Sequence, residues 1–344
     1  AFTGFKERYD VLLTTNRNYR EITARQVKEA KVSLVPLGVR VRNAELSHLL
    51  FIPTFRELLF WLDVTTVEAD PEKAAAGIAG SNLLELLERG HGPFSTFRFR
   101  ITVAGKMPLD KRGDFIKKCS FELEQRTERR LINSPDHYEA ELKLAERKDG
   151  TFLPLLKLHT LKDTRFSYRK ESIAASIHPS DAALIAALTV PYFGDRAQVL
   201  DPFCGVGTML IERDRARQAG PMYGIDIFGE AIAKARINTA RTGKEIHYIN
   251  RDFFAFTHEY LYDEIFTNMP VRGKKTKEEQ DIFYSRFFDK AEEVLKRDGV
   301  MILYSNEKGL IKKQLRLREG WRLLNEFCLN EKEDFSVYVI GRRK

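Results

Sequence analysis

The chain has 344 residues, of which 43% are hydrophobic and 11% aromatic, so it is long enough for two or three domains and wholesale disorder is excluded. No stretch approaches the roughly 20 apolar residues of a membrane span, and the first residues lack the pattern of a secretory signal. Three scattered cysteines, Cys119, Cys204 and Cys328, fit neither a disulfide framework nor a zinc site. We therefore expect a soluble, cytoplasmic protein without a bound metal.

The positive charge is concentrated in one half of the chain. The net charge is +8, and residues 1–170 hold 30 Lys and Arg against 23 Asp and Glu. This asymmetry favours a polyanion-binding surface in the N-terminal half, although a chain that is merely basic has the same composition.

The N-terminal half predicts a small α+β region that ends near residue 160. Residues 9–15 have the pattern of a strand and residues 21–30 that of a helix, whereas residues 32–41 are interrupted by proline and glycine. Further on we expect a buried helix or strand-turn at 48–60, an amphipathic stretch at 71–87, a loop at 89–93, a strand at 97–103, a helix at 111–131, and strands at 138–144 and 152–158.

From about residue 180, strands alternate with helices, which predicts a parallel, doubly wound sheet. The expected helices are 181–189, 208–218, 229–241, 279–296 and 308–318, and the expected strands are 198–201, 221–227, 246–250, 262–267, 300–305, 321–329 and 335–340. The last two strands have little helix between them, so we expect them to pair as an antiparallel hairpin at one edge.

The most informative stretch is a buried strand that runs into a glycine turn and then a helix, ending in Gly205-Val206-Gly207-Thr208. Glycine lets the backbone approach a ligand closely, and a helix N-terminus offers unpaired N–H groups. An ordinary tight turn is the alternative. A dinucleotide fingerprint needs a third glycine where Leu210 stands, and Asp201 before the turn suits an ammonium group better than a pyrophosphate. A nicotinamide oxidoreductase is therefore disfavoured.

The next strand ends carry acidic and amide side chains. Asp226 is positioned to accept both ribose hydroxyls of a nucleoside, and Asp252 can accept from an adenine amino group while Phe253 packs on the ring. Helix or surface caps are the alternative for both aspartates. The fourth strand ends in Asn268, where the side-chain oxygen and a backbone carbonyl at Met269 or Pro270 can accept the two N–H groups of an exocyclic amine. A strand-ending Asn before a proline turn is the alternative.

These strand ends resemble the class I S-adenosylmethionine (SAM)-dependent methyltransferases. The stretch 201–208 is similar to the first motif of amino-group methylases of nucleic acids, and 268–270 resembles their N/D-P-P-Y/F motif. Met269 replaces the first proline of that motif and Val271 its aromatic residue, so Phe254, Phe283 or Tyr284 would have to supply a ring. The resemblance implies a SAM site formed by His178, Pro179, Asp201, Pro202, Phe203, Cys204, Gly205, Gly207, Thr208, Asp226, Ile227, Asp252, Phe253 and Asn268.

Three of these residues have other interpretations. His178 and Pro179 have the alternative of a helix entry with a capping neighbour. Cys204 is expected to be structural, because methylation of an amine needs no thiolate and the fourth strand end lacks the Pro-Cys pair of carbon methylation.

Residues 97–160 resemble a THUMP domain, on the helix that starts at Lys111 and the segment 130–142, while 165–170 and 176–179 look like the linker and pre-catalytic motif of THUMP-containing RNA methylases. The resemblance implies a ferredoxin-like segment at 1–90, a THUMP-like domain at 91–162, a linker at 163–180 and a Rossmann-like, seven-stranded methyltransferase domain at 181–344. It also implies tRNA or rRNA as the partner. The candidate RNA-binding residues are Arg112, Lys117, Lys118, Arg126, Arg129, Arg130, Lys274 and Lys275. The alternative for the residues at 112–130 is a solvated helix face whose charges pair with one another, and the alternative for Lys274 and Lys275 is a plain surface loop.

We therefore expect a SAM-dependent RNA methyltransferase acting on an exocyclic amine, with guanine N2 favoured by the THUMP resemblance. Adenine N6 of DNA or RNA is the nearest alternative, since the same clamp serves both amines. A catalytically impaired SAM-fold protein that binds RNA is the second, because of Met269 and Val271.

Overall fold

The computed structural model describes residues 1–28, 30–93 and 95–342, and the chain forms two compact units, Ala1–Arg165 and Phe166–Lys344. No helix among the described residues is long and apolar enough to cross a membrane.

The first unit is an eight-stranded sheet with helices, and its strand order is β2-β3-β1-β4-β8-β7-β5-β6. Its elements are β1 (Arg8–Thr14), α1 (Arg20–Ala24), β2 (Lys31–Val35), β3 (Gly38–Glu45), α2 (Leu46–Leu49), β4 (Leu58–Trp61), α3 (Pro71–Ala79), α4 (Leu83–His91), β5 (Phe97–Ala104), α5 (Leu109–Arg126), β6 (Leu131–Asn133), β7 (Ala140–Glu146) and β8 (Phe152–Leu158).

The predicted boundary near residue 90 does not separate two sheets. Strands β1–β4 and β5–β8 form the two halves of one sheet, joined where β4 pairs with β8 at Phe60 and Leu156. One hydrophobic core also runs through both segments, from Val11 to Leu158. Because apolar residues from both halves are buried together, residues 1–165 form one mixed α/β unit.

Three local predictions in this unit are wrong. The helix expected at 21–30 ends at Ala24 and is followed by a turn. The loop expected at 89–93 begins later, because α4 continues to His91 and ends where Gly92 takes a φ of 97°. The helix expected to reach residue 131 ends at Arg126, because Glu128 and Arg129 adopt positive φ values of 50° and 58° and turn the chain into β6. Neither residue is glycine, so composition gave no sign of this turn.

The second unit confirms the predicted parallel, doubly wound architecture. Its seven-stranded sheet has the order β11-β10-β9-β12-β13-β15-β14, with an antiparallel β14–β15 pair at one edge. Its elements are α6 (Pro179–Thr189), β9 (Val199–Asp201), α7 (Thr208–Ala216), β10 (Met222–Asp226), α8 (Gly229–Ala240), β11 (His247–Asn250), β12 (Tyr262–Asn268), α9 (Lys277–Val294), β13 (Leu295–Ser305), α10 (Lys308–Leu317), β14 (Trp321–Asn330) and β15 (Phe335–Arg342).

The segment before α6 packs on this second unit. The Tyr168 hydroxyl donates to Glu212 of α7 at 2.8 Å, and both side chains are buried. Residues 166–178, which were expected to belong to a separate linker, are therefore part of the unit that carries the doubly wound sheet.

Candidate active site

A cavity of about 550 Å³ opens at the carboxyl ends of the parallel strands of the second unit. Doubly wound sheets bind their ligands at this edge, and the volume is that of a small-molecule site. Thirteen of the residues singled out from the sequence line it: Pro202, Phe203, Cys204, Gly205, Thr208, Asp226, Ile227, Asp252, Phe253, Asn268, Met269, Pro270 and Lys275. Strand ends that are far apart in sequence thus converge as expected.

The glycine turn forms one wall of the cavity. Gly205 and Gly207 have φ values of 51° and 85°, in the left-handed region that favours glycine. Thr208 then begins α7, and its buried hydroxyl has no hydrogen-bond partner among the described residues. Because the first N–H groups of a helix also lack partners within the helix, this end of the cavity suits an anionic group such as a carboxylate.

Asp226 links the ends of β9 and β10. One of its carboxylate oxygens accepts from the Gly205 N–H at 2.9 Å, and the other accepts from the Phe228 N–H at 2.9 Å. An ionised carboxylate has about four acceptor positions, so both oxygens can still accept from hydroxyl groups of a ligand. The neighbouring Ile227 and Phe228 are 60% and 70% exposed beside it, which offers apolar cover for a ring.

Asp201, a predicted cofactor-binding residue, is not among the residues that line the cavity. It is fully buried, and its Oδ1 accepts from the Phe203 N–H at 3.1 Å and from the Thr267 hydroxyl at 2.6 Å. Burial raises the pKa of this carboxyl to about 7. The side chain therefore fixes the ends of β9 and β12 against each other from behind the cavity wall.

His178, Pro179, Gly207 and Lys274 also lie outside the cavity lining. The Nδ1 atom of His178 accepts from the Ser180 N–H at 3.2 Å and caps α6, and Pro179 is the first residue of that helix. This geometry favours the helix-entry interpretation. The residues just before them, Ile173, Ser176 and Ile177, line the cavity instead.

We call residues 170–177 the strap, and Asn238 of α8 holds it in place. The Asn238 side chain is fully buried and makes four hydrogen bonds. Its Oδ1 accepts from the N–H groups of Lys170 and Glu171 at 2.9 and 3.0 Å, and its Nδ2 donates to the carbonyls of Glu171 and Val206 at 3.0 and 3.2 Å. One amide therefore connects the strap to the glycine turn.

Replacing Asn238 by alanine is expected to loosen the strap and weaken SAM binding. The change leaves four backbone groups without their partner, at a cost of about 2–4 kcal/mol in the free energy of unfolding. Titration calorimetry should report a higher Kd for SAM, and trypsin should cleave faster after Arg169 and Lys170. Lys234→Ala is the control, because its ammonium contacts the strap at one point, the Ser172 carbonyl at 3.2 Å, and otherwise pairs with Glu230 of its own helix at 2.8 Å. Equal effects of the two variants would contradict the assignment to Asn238.

Two oxygen acceptors at the end of β12 have no donor among the described residues. Among the described residues, the Asn268 side-chain amide makes no hydrogen bond, and it lines the cavity. The Met269 N–H donates to the Tyr304 carbonyl at 2.9 Å, which fixes the backbone, while no described residue donates to the Met269 carbonyl. The Pro270 carbonyl accepts from Gln280 Nε2 at 3.3 Å. Of the two backbone acceptors considered, Met269 is therefore the one left available.

Phe254 and Phe283 supply aromatic rings where Val271 has none. Both line the cavity, and their ring centroids lie 5.5 Å apart with an interplanar angle of 87°. The Lys275 ammonium lies 4.5 Å from the Phe283 ring and the Arg286 guanidinium 4.2 Å from the Phe254 ring. Tyr284 is excluded, because it is fully buried with its hydroxyl on Ser305.

Cys204 is expected to resist alkylation. Burial raises the pKa of its thiol well above the usual range, so the reactive thiolate is scarce at neutral pH. Burial also raises the pKa of Cys119 to about 12, whereas Cys328 is half-buried. Iodoacetamide at pH 8 followed by peptide mass spectrometry should therefore modify Cys328 first. Rapid modification of Cys204 in the folded protein would contradict this environment.

The predicted RNA-binding face of α5 is largely self-paired. Lys118 pairs with Asp114 at 2.8 Å, Arg126 with Glu122 at 3.6 Å, Arg129 with Glu124 at 3.4 Å and Arg130 with Glu88 at 2.7 Å. Arg112 donates to the carbonyls of Gly105 and Met107. This arrangement favours the solvated, self-paired alternative for these residues. Lys117 differs from them, because it makes no ion pair with any described residue.

A sheet of this strand order, with a carboxylate at the end of β10 and an Asn-x-Pro sequence at the end of β12 lining one cavity, is that of a SAM-dependent methyltransferase. Residues 167–334 match the UPF0020 family model, described as the RMKL-like methyltransferase domain.

Solved structures share the fold over nearly the whole chain. TrmN from Thermus thermophilus is 18% identical, with a TM-score of 0.71 over 97% of this chain and 99% of its own. A predicted N6-adenine-specific DNA methylase from Listeria monocytogenes is 14% identical, with a TM-score of 0.71 over 97% and 96%. SMU.472, solved in complex with SAH, is 13% identical, with a TM-score of 0.68 over 98% of both chains.

Proposed function

We propose that this methyltransferase modifies an exocyclic amine of structured RNA, with guanine N2 as the favoured position. The observation that carries the proposal is the pair of unengaged acceptors at the end of β12, the Asn268 side-chain oxygen and the Met269 carbonyl. Two such acceptors match the two N–H groups of an exocyclic amine. If Asn268 only ended the strand, the structure would give no reason for two acceptors without donors at this point.

The residues around the cavity fit SAM. The orphaned Thr208 hydroxyl and the first turn of α7 suit the carboxylate of its methionine part, and Asp226 suits the ribose hydroxyls. Ile227 and Phe253 would cover the adenine, with Asp252 near its amino group. When bound, SAM supplies the activated methyl group. We assign no contact with it to His178, Pro179 or Asp201, which lie outside the lining.

The chain's own contribution to the reaction is orientation and charge stabilisation. Asn268 Oδ1 and the Met269 carbonyl each accept one N–H of the amine, which turns the nitrogen lone pair out of conjugation with the base. The same oxygens stabilise the positive charge that develops on the amine nitrogen as it attacks the methyl group. Fixed geometry supplies much of the remaining acceleration, so no strong general base is required.

RNA rather than DNA is proposed from the THUMP-like resemblance of residues 91–162 and from the charge of the N-terminal half. Because most α5 cations are already paired, we expect RNA contacts to depend less on that helix than on other cations, including Lys274 and Lys275 beside the cavity. If the Lys274→Ala/Lys275→Ala double variant binds RNA with the same salt dependence as wild type, these two lysines are not part of the RNA interface.

The direct test is transfer of labelled methyl from SAM to unmodified cellular RNA, with digestion to nucleosides and chromatographic identification. Label in N2-methylguanosine is the expected result. Label in N6-methyladenosine would keep amine methylation and overturn the position. Measurable SAM binding without label in any RNA or DNA fraction would favour the RNA-binding protein that has lost catalysis.

A further inference from the structure

A second cavity of about 550 Å³ borders the loop at the end of β12. Val271 lines both cavities, so the loop of residues 269–275 stands between them. The second cavity is otherwise formed by Arg272 and Gly273 of the loop, by Lys277 and Gln280 of α9, and around the start of α10 by Asn306, Glu307, Gly309 and Leu310. A base held at Asn268 therefore has a shaped, polar space beside it.

The side chain of Gln280 carries an unsatisfied acceptor at this position. Gln280 is only 1% exposed, and its Nε2 donates to the Pro270 carbonyl at 3.3 Å. Because a carbonyl can only accept, the amide must turn its NH₂ group toward Pro270, and this fixes the direction of its oxygen. That oxygen, Oε1, has no hydrogen-bond partner among the described residues. A buried acceptor without a donor is costly, so a ligand donor would be favoured there.

We propose that Gln280 Oε1 accepts the ring N–H next to the amine of the target base, and that this contact selects guanine. The inference rests on the proposed function, in which Asn268 and Met269 engage the amine. Gln280 is coupled to that pair, because its Nε2 holds the carbonyl of the residue that follows Met269. Gln280 is buried and lines the second cavity and not the first, so the contact requires the loop of residues 269–275 to move.

The chemistry of the bases decides the selectivity. In guanine, the amine-bearing carbon lies between two ring nitrogens, N1, which carries a hydrogen, and N3, which does not. In adenine and cytosine, the ring nitrogens beside the amine-bearing carbon are bare acceptors. A third protein acceptor next to the amine clamp would therefore attract guanine and repel the other two. A site built to hydrogen-bond a donor rejects an analogue that lacks it far more strongly than an apolar site does.

The test uses the full-length protein and RNA in which the methylated position has first been mapped. The substrate is compared with the same RNA carrying 2-aminopurine at that position, which keeps the amine and lacks the N1 hydrogen. The wild-type enzyme should have a kcat/KM at least about tenfold lower for 2-aminopurine, since one lost hydrogen bond to a buried acceptor corresponds to that factor or more. Gln280→Met should lose this discrimination and treat the two RNAs alike.

Controls separate this role from a structural one. Glu278→Met places the same side chain on the exposed face of the same helix turn and should behave as wild type. The thermal midpoint and the calorimetric Kd for SAM should be similar in all three proteins. A Gln280→Met enzyme that is slower on both RNAs but keeps the wild-type ratio would overturn the inference and indicate that Gln280 only supports the loop.

The outcomes also separate this inference from the proposed function. Label in N2-methylguanosine with unaltered discrimination in Gln280→Met would refute the role of Gln280 and leave amine methylation standing. Label in N6-methyladenosine would refute guanine selection alone. No transfer to any RNA would overturn the proposed function, and this inference with it.

Discussion

Replacing Asn268 by alanine is expected to lower kcat for methyl transfer by about 100- to 1,000-fold, the range seen when one preorganised hydrogen-bonding group is removed from a developing charge. The lost oxygen accepts an amine N–H most strongly as positive charge forms on the nitrogen, so its removal raises the transition state more than the ground state. Single-turnover transfer of labelled methyl to RNA measures the rate directly.

The Kd for SAM should change far less than the rate. Asn268 lines the cavity, but the glycine turn, Thr208 and Asp226 stay in place in the variant. Asn268→Asp is the matched comparison, because it keeps an oxygen of similar position and should retain more activity than alanine. Transfer by Asn268→Ala at a rate close to wild type, with SAM binding unchanged, would remove Asn268 from the chemistry and leave its strand-ending role.

The sequence predicted the strand-end residues well because parallel strands impose their own geometry. Once residues 199–201, 222–226 and 262–268 alternate with helices, their carboxyl ends must meet at one edge. Asp226 and Asn268 therefore line one cavity although 42 positions separate them. No knowledge of side-chain packing is needed for that inference.

The sequence could not predict in the same way whether a residue lies on the cavity wall or behind it. Asp201 and Thr208 flank one turn, but only the packed structure places the first behind the cavity wall and the second on it. The strap was anticipated only in part, by the predicted pre-catalytic motif at 176–179, for a related reason. Its position depends on Asn238, an amide more than 60 residues away that carries no sequence signal of its own.

The N-terminal half was harder to predict because its sheet is assembled from distant and short segments. Strand β6 has three residues, too few to show a periodicity, and it pairs in parallel with β5 across the whole of α5. The alternating charges of α5 were visible in the sequence, but which cation meets which carboxylate depends on the helix face and on Glu88 from α4. Composition therefore indicated a basic half without locating its accessible cations.

Replacing Gly207 by alanine is expected to disrupt the turn between β9 and α7 and to abolish tight SAM binding. An added Cβ would lie 2.2 Å from the Tyr248 hydroxyl oxygen and 3.1 Å from its ring carbon, and the backbone φ of 85° is unfavourable for any side chain. The left-handed conformation and the overpacking together cost about 2–5 kcal/mol in the free energy of unfolding. Tyr248 cannot easily move aside, because it is buried and bonded to the Thr239 hydroxyl at 2.8 Å.

Thermal melting with and without SAM measures both effects, with an expected decrease of about 5–15 °C in the midpoint for a unit of this size and loss of the increase that SAM gives to wild type. Gly205→Ala is the internal comparison. Its φ of 51° is also positive, but the nearest atom to an added Cβ is Ile173 Cδ1 at 3.9 Å, so only the backbone strain remains. Tyr248→Phe in the Gly207→Ala background removes the closest atom and should restore part of the lost stability. If Gly207→Ala instead melts close to wild type and Gly205→Ala does not, the turn relaxes differently, and crowding by Tyr248 is not what requires glycine at position 207.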